Sequence, residues 1–156
     1  MELCVRPARV EDVDGLLAFG MTVVVRTADD WLRAIQLCEE GSRVLHVAVV
    51  DGVIAGFGQA HRLDSDGDHG QEGYYLTGVT VLPPYRRQGL AQELTHPRLD
   101  WIRERADAAW CFVNATNDAS LRLHEKLGFT EVARATSIHG VTFDGGQGVL
   151  MRHTFT

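Results

Sequence analysis

Apolar residues recur in short runs of strand-like or helix-like period, separated by glycine, proline and aspartate. Leu3-Cys4-Val5, ending at Arg6-Pro7, reads as a first strand, because the residue before a proline is biased towards extended backbone. Val10, Val13, Leu16 and Leu17 recur at helical spacing. Residues Ala28 to Glu40, with Trp31, Leu32, Ile35 and Cys38 as the apolar stripe, predict a second helix ended by Gly41. Val44 to Val50 and Val53 to Leu63 flank Asp51-Gly52, a pair that favours a tight primed turn, so they form a hairpin. A polar loop from Asp64 to Gly70 leads into a strand over Gly73 to Leu82. Leu90, Leu94, Trp101 and Ile102 mark a helix over Gly89 to Asp107. Pro97 is expected to kink or split it, since proline lacks an N–H and clashes with the carbonyl of Glu93. Trp110 to Val113 is a short buried strand before Asn114. Asn117 can cap a further helix that runs to Leu127, with Gly128 as its left-handed stop and Phe129 folding back over the last turn. Glu131 to Ile138 and Gly148 to Phe155 close the chain as two strands joined by a glycine-rich loop. The class is α+β with a mixed sheet.

Composition narrows the function classes. The chain has 156 residues, 45% hydrophobic and 23% charged, as in one globular domain, here expected over 1–156. A formal net charge of -6 opposes attraction to nucleic acid, which is not expected as a partner. The longest apolar stretches, Val47 to Val50 and Ala108 to Val113, fall far short of the ~20 residues of a membrane span, so no membrane is expected either. The first residues lack the basic start and apolar run of a secretory signal, which gives a cytoplasmic expectation. Cys4, Cys38 and Cys111 are too few and too widely spaced for a disulfide framework or a Cys-x-x-Cys site, and are expected as buried small hydrophobes. Asp64-x-Asp66-x-Asp68 fails as a calcium loop. Its sixth position is His69 and its twelfth is Tyr75. The histidines show no His-x-x-x-His spacing, so no metal is expected.

Two segments carry chemistry. The first, Val79-Thr80-Val81-Leu-Pro-Pro-Tyr-Arg86-Arg87-Gln88-Gly89-Leu90-Ala91-Gln92, passes from a strand through a basic loop into a helix start. A helix start offers unpaired N–H groups and the positive end of its dipole, which suits a pyrophosphate. Gly89 and Ala91 are small enough for phosphates to approach, and Arg86 and Arg87 add charge. Neither the nucleoside-triphosphate nor the dinucleotide glycine pattern is present, and a plain basic turn is the alternative. The second segment holds Asn117 and His124, seven residues apart and so two turns along one helix face. His124 lies three residues from both Leu121 and Leu127, on the apolar side, where an ionisable ring needs a partner. Spacing alone is also satisfied by a core histidine bonded to a backbone carbonyl.

Together these segments resemble the GNAT family of N-acetyltransferases, which transfer an acyl group from acetyl-CoA to an amine. Arg86-Arg-Gln-Gly89-Leu-Ala91 matches the family's [Gln/Arg]-x-x-Gly-x-[Gly/Ala] loop. The preceding Val-x-Val strand with Pro-Pro-Tyr matches too, as does the later Asn-x-x-Ser that ends in Glu-Lys-Leu-Gly-Phe. The resemblance runs along essentially the whole chain. It implies a mixed, mostly antiparallel central sheet flanked by helices, with acetyl-CoA as acyl donor. It implies further that the backbone of Val79, Thr80 and Val81 pairs with the pantetheine amides. Arg86, Arg87, Gln88, Gly89, Leu90, Ala91 and Gln92 would form the pyrophosphate loop, and Asn117 would contact the pantetheine arm. The family usually has tyrosine at the position of His124, where it protonates the departing CoA sulfur. Histidine donates only while charged, and burial disfavours that form. His124 is left as a substitute acid, a base or a packing residue.

An alkyl amine with pKa near ~10.4 is neutral in about one molecule in a thousand at pH 7, so ~4 kcal/mol must be offset by a base or a lowered pKa. Many relatives carry a glutamate where this chain reads Phe112-Val-Asn114. Glu72, at the start of the preceding strand, is the substitute, directly or through water; the alternative is a solvated strand-end carboxylate. The implied reaction is direct acetyl transfer to a primary amine of a small polar molecule. The glycine-rich tail resembles antibiotic-modifying members, and Asp29, Asp30, Asp144 and Glu72 could attract an aminoglycoside-like polycation. Acetylation of peptide N-termini or lysines, and a non-catalytic acyl-CoA sensor, are the alternatives; a homodimer is left open.

Overall fold

The computed structural model describes residues 2–19 and 26–156. Its first half contains β1 (Leu3–Pro7), α1 (Val13–Leu16), α2 (Ala28–Glu39), β2 (Arg43–Val50), β3 (Val53–Leu63) and β4 (Gly73–Val81). Its second half contains α3 (Leu90–Arg103), β5 (Ala108–Asn114), α4 (Asp118–Lys126), β6 (Thr130–Ala135), β7 (Ser137–Ile138), β8 (Val141–Thr142) and β9 (Gly148–Thr154). Seven strands form a sheet in the order β1-β2-β3-β4-β5-β9-β6, and β7 with β8 forms a separate hairpin. β1 with β2, β2 with β3, β5 with β9 and β6 with β9 are antiparallel. β4 runs parallel to β5 over Tyr74↔Ala109 and Tyr75↔Trp110. The α+β class and the mixed, mostly antiparallel sheet are therefore as the sequence implies. No helix among the described residues is long and apolar enough to cross a membrane.

By internal packing the chain divides into two compact units, Met1–His61 with Thr77–Trp101, and Arg62–Leu76 with Ile102–Thr156. The first is built on the β2–β3 hairpin. Asp51 (φ 48°) and Gly52 (φ 83°) both adopt the left-handed conformation that a type I′ turn requires, which is why Asp-Gly was legible as a hairpin. Alternation along β2 and β3 then feeds two apolar clusters. Leu45, Val47 and Phe57 join Leu16, Trp31 and Ile35 from the helices, while Ala48, Val50 and Ala55 join Leu90 and Leu94 of α3. In the second unit Tyr75, Ile138 and Leu150 form the buried centre, with Trp110, Phe112 and Phe143 half-buried around it.

Four expectations need correction. The apolar positions Val10 to Leu17 do not make one helix: a 3₁₀ turn over Val10–Asp12 leads into the single turn of α1. Asp12 is the reason. It is buried, takes a two-pronged hydrogen bond from Arg6 (2.7 and 2.9 Å) and accepts from the Arg9 N–H at 2.8 Å, which fixes a cap where a helix would have continued. Pro97 does not split α3, which stays helical through it. Glu93, whose carbonyl the proline deprives of a partner, lies on the exposed side, where water can supply the bond. The strand expected over Glu131 to Ile138 is interrupted after Ala135, and Ser137–Ile138 pairs instead with Val141–Thr142. Cys4 is exposed rather than buried, because the alternation that sends Leu3 and Val5 into the core turns Cys4 to the other face; Cys38 is half-buried and Cys111 buried. The polar loop at Asp64 is ordered by one side chain. The Asp66 carboxylate accepts from the N–H groups of Asp68 (2.8 Å), Gly70 (2.9 Å) and His139 (2.8 Å), which holds its pKa below the ordinary carboxylate value.

His46 on β2 supplies a pH prediction. It is 8% exposed, its Nδ1 has no hydrogen-bond partner among the described residues, and burial together with the nearby Arg98 guanidinium pushes its pKa down to about 4. An unfolded chain protonates this ring near the ordinary value, so the stability it confers is present above pH ~6.5 and is lost as pH falls towards the folded value. Between pH 7 and pH 5 the loss from His46 is expected to be on the order of 2 kcal/mol. Urea unfolding at the two pH values measures it, and His46→Leu should flatten the slope. An unchanged slope in that variant would remove His46 as the cause.

Candidate functional site

The loop after β4 is tied down at three points. Leu82 N–H donates to the Ala55 carbonyl (2.8 Å), Arg86 Nε to the Val81 carbonyl (3.0 Å) and Gln88 Nε2 to the Pro84 carbonyl (3.3 Å). Arg86 and Gln88 are thus braces of the loop as well as part of the expected phosphate segment. Arg87 (φ 64°) and Gly89 (φ 83°) take left-handed conformations on either side of Gln88. Such alternation turns successive N–H groups towards one point and makes an anion-binding concavity. The first helical bond of α3 runs from Glu93 N–H to the Gly89 carbonyl at 3.0 Å. Leu90, Ala91 and Gln92 therefore have N–H groups without intrahelical acceptors. The Leu90 side chain is anchored among Ala48, Val50, Ala55 and Leu94, so this helix start is held rigidly. A Cβ added to Gly89 would meet no atom within 4 Å. That open space above an anion-favouring backbone fits a pyrophosphate approaching closely. Arg87 is exposed and has no partner among the described residues, so its charge is available at the rim.

The strand that leads into this loop runs unbroken through Gly78, which is exposed and takes a left-handed conformation (φ 78°) that glycine tolerates. Val79, Thr80 and Val81 follow it half-buried. Gly56 on β3 lets the Thr80 carbonyl approach, since a Cβ there would lie 2.9 Å from that oxygen.

Helix α4 carries the second segment. The Asn117 side chain accepts from the Ser120 N–H at 3.1 Å, so Asn117 is its N-cap, as the sequence predicts. Its Oδ1 is committed, which leaves the amide NH₂ as the group that could bond a ligand. At the other end Phe129 N–H donates to the His124 carbonyl (2.9 Å) and Gly128 N–H to the Glu125 carbonyl (3.0 Å), with Gly128 at φ 97°. This is the Schellman closure, and it explains the Leu-Gly-Phe ending. The Phe129 ring meets the His124 ring edge-on at 5.4 Å between centroids. His124 is 6% exposed and its Nδ1 lies 2.7 Å from the Ser120 carbonyl. A carbonyl only accepts, so Nδ1 carries a proton and donates it. Any proton that the ring gives or takes in chemistry must pass through Nε2. The side chain is thus a core histidine bonded to a carbonyl through Nδ1.

Glu72 is 60% exposed at the side chain and forms an ion pair with Arg62, which also holds Asp64. That pair engages its Oε1. Asp30 is likewise engaged, accepting from Thr27 N–H at 2.8 Å in the capping box of α2. Of the four carboxylates expected to draw a polycation, these two already serve the protein itself. A polar cluster that the sequence reading passed over lies in the first unit: Arg26, Arg43, Gln59, His61 and Thr77. Thr77 Oγ1 and His61 Nδ1 are 2.9 Å apart, and Arg43 Nη1 donates to Gln59 Oε1 at 3.3 Å. The signal was the parity of β3, where Gln59 and His61 continue the inward face of Phe57.

The model of the acetyltransferase (GNAT) family matches residues 12–129. Among curated proteins the chain is 31% identical over 133 residues to the N-terminal acetyltransferase B complex catalytic subunit NAA20 of Arabidopsis thaliana, covering 83% of this chain and 66% of that one. It is 34% identical over 77 residues to the ribosomal protein bS18-alanine N-acetyltransferase of Escherichia coli K12, covering 49% of this chain and 51% of that one. The chain thus spans about half to two thirds of the length of these relatives. Among solved structures, an N-acetyltransferase from Staphylococcus aureus Mu50 superposes with TM-score 0.81 at 18% identity, over 100% of both chains.

Proposed function

Because this chain belongs to the acetyltransferase (GNAT) family, whose donor is acetyl-CoA, we propose that it is an N-acetyltransferase acting by direct transfer to a primary amine, and that residues 1–156 work as one such domain. The observation that carries the reading is the loop from Arg86 to Gln92, with its two left-handed residues, its rigid helix start and the open space at Gly89. In this reading the N–H groups of Arg87 to Gln92 hold the pyrophosphate, with Arg86 bracing the loop. The backbone of Val79, Thr80 and Val81 pairs with the pantetheine arm and offers an N–H to the acyl oxygen. The Asn117 amide steadies the same arm.

Acetyl-CoA supplies an acetyl group already activated as a thioester. His124 Nε2 handles the proton that the leaving sulfur needs, its ring held by Ser120 and Phe129. Glu72, paired to Arg62 through Oε1, would take the amine's proton directly or through water, and Glu72→Gln measures that role. The acceptor we propose is the amino terminus of a peptide or protein, supported by the names of the two curated relatives. The small polar amine expected from the sequence is the competing arm of the same screen.

Acetyl-CoA at a hundredfold excess over Kd should raise native stability by ~2.7 kcal/mol, seen as a higher Tm, with ATP and NAD doing much less. An unchanged melting curve at millimolar acetyl-CoA would overturn the donor. Thiol release against peptides, polyamines and aminoglycosides then identifies the acceptor. Tight acetyl-CoA binding without turnover on any amine would make this a sensor.

A further inference from the structure

The stripe that seats α3 on the sheet changes character at its third member. Leu90, Leu94 and Arg98 are spaced by four residues and share one face of the helix. The two leucines pack among Ala48, Val50 and Ala55, whereas Arg98 is a cationic side chain that is only 1% exposed. Gly58 of β3 makes room for it, since a Cβ there would lie 2.9 Å from the guanidinium carbon. Nη1 of Arg98 donates to the Gln59 carbonyl of β3 (2.8 Å), Nε to the Leu94 carbonyl (2.9 Å) and Nη2 to Thr95 Oγ1 (3.1 Å). The guanidinium thus ties the helix to the sheet and to its own preceding turn.

The direction of these bonds carries on towards the loop. A guanidinium only donates, so Thr95 Oγ1 accepts from Arg98 and has its own proton to give. The Ala91 carbonyl receives that proton's bond at 2.7 Å. Thr95 is 1% exposed, which shields the pair from water. The Ala91 carbonyl belongs to the same peptide group as the Gln92 N–H, one of the donors at the helix start that has no intrahelical acceptor. A bond accepted at a carbonyl draws charge through the amide, and bonds in a chain strengthen one another in a low-dielectric interior. A hydroxyl bonded back four residues is by itself slightly unfavourable for a helix. Here it also joins a buried cation, through one hydroxyl and one peptide group, to a backbone donor of the anion-favouring loop.

We propose that Arg98 and Thr95 are positioning residues for the acetyl-CoA pyrophosphate, which orient and polarise the Gln92 N–H without touching the donor. This rests on the acetyltransferase reading above, which gives that N–H to the pyrophosphate. Both side chains are buried, so they act through the backbone of the first turn of α3. Their effect is confined to ligands that carry phosphate at the loop. It leaves the chemistry at the acyl carbon unchanged.

Thr95→Val removes the hydroxyl while keeping size and branching. It is expected to raise the calorimetric Kd and the KM for acetyl-CoA about tenfold, the worth of one net hydrogen bond, with kcat little changed. Thr95→Ser restores the hydroxyl and should return both constants towards the parent. Donor choice is the readout that a purely structural role would not move. S-acetylpantetheine carries no pyrophosphate, so its kcat/KM should be the same in the parent and in Thr95→Val. Arg98→Met should weaken acetyl-CoA at least as much, and adding Thr95→Val to it should cost little more, because both changes cut one chain. Should Arg98→Met not fold, the two Thr95 variants decide the matter. If the parent neither binds acetyl-CoA nor acetylates any amine, yet binds inorganic pyrophosphate in a Thr95-dependent way, the relay stands and the acetyltransferase reading falls. If the parent binds acetyl-CoA and acetylates an amine, three results would each sink the relay and leave that reading standing: normal acetyl-CoA binding by Thr95→Val, equal losses with acetyl-CoA and S-acetylpantetheine, or no rescue by Thr95→Ser.

Discussion

Gly89→Asp is expected to abolish acetyl-CoA binding while leaving a folded chain. The two halves of that statement rest on different observations. Folding survives because a Cβ at Gly89 points into open space, so the free protein gains no clash. The cost in the free protein is the positive φ of 83°, about 1–2 kcal/mol for a residue with a side chain. Binding fails because the new carboxylate lies at the positive end of α3, where a pyrophosphate would have to sit, and repels it. Gly89→Ala separates these effects, since it carries the same backbone strain without the charge and should weaken binding much less. Arg87→Ala should also cost less, because most of the cradle is backbone. Circular dichroism and the Tm shift with acetyl-CoA measure both halves, and normal acetyl-CoA binding by a folded Gly89→Asp protein would refute the loop assignment.

The second large effect is expected at His124. His124→Phe should lower turnover by roughly 10²-fold or more, with little change in acetyl-CoA affinity. Phenylalanine keeps the edge-on contact with Phe129 and the Schellman closure, which involves only the His124 backbone carbonyl. What it loses is the ring nitrogen that could exchange a proton. Because Nδ1 donates to the Ser120 carbonyl, Nε2 carries a proton only when the ring is cationic. An acid of this kind should therefore lose activity as pH rises through its bound-state pKa. The pH profile of kcat is then a narrowed bell. His124→Tyr replaces the imidazolium by a phenol with pKa ~10, and should remove or shift the alkaline limb. Near-normal turnover with an unchanged profile in His124→Phe would reduce the residue to packing and leave the thiolate to be protonated by water.

How far the sequence reached depends on the range of the interactions involved. The Asp51-Gly52 hairpin, the Asn117 cap and the Gly128-Phe129 stop are settled by a few neighbouring residues through local φ preferences and short hydrogen bonds. Each appears in the structure where the sequence predicts it. The basic loop into α3 was legible for the same reason, since left-handed glycine and an open helix start are local properties. The failures share a longer range. The helix expected at Val10 to Leu17 was cut short by the buried pair of Arg6 and Asp12, which periodicity does not register. Cys4 turned outward because burial on β1 follows its pairing with β2.

The site divides along the same line. The sequence by itself determined the α+β class, the family and the two segments that hold the basic loop into α3 and His124, because spacing along one strand or helix fixes which residues share a face. Only the tertiary structure decided what those side chains can do. It drew Arg86 into bracing the loop and paired Glu72 with Arg62. It committed His124 Nδ1 to a carbonyl and assembled Arg26, Arg43 and His61 from three separate stretches of chain. The physical reason is that hydrogen bonding, desolvation and charge depend on neighbours in space, and a sheet brings together residues that the sequence keeps tens of positions apart.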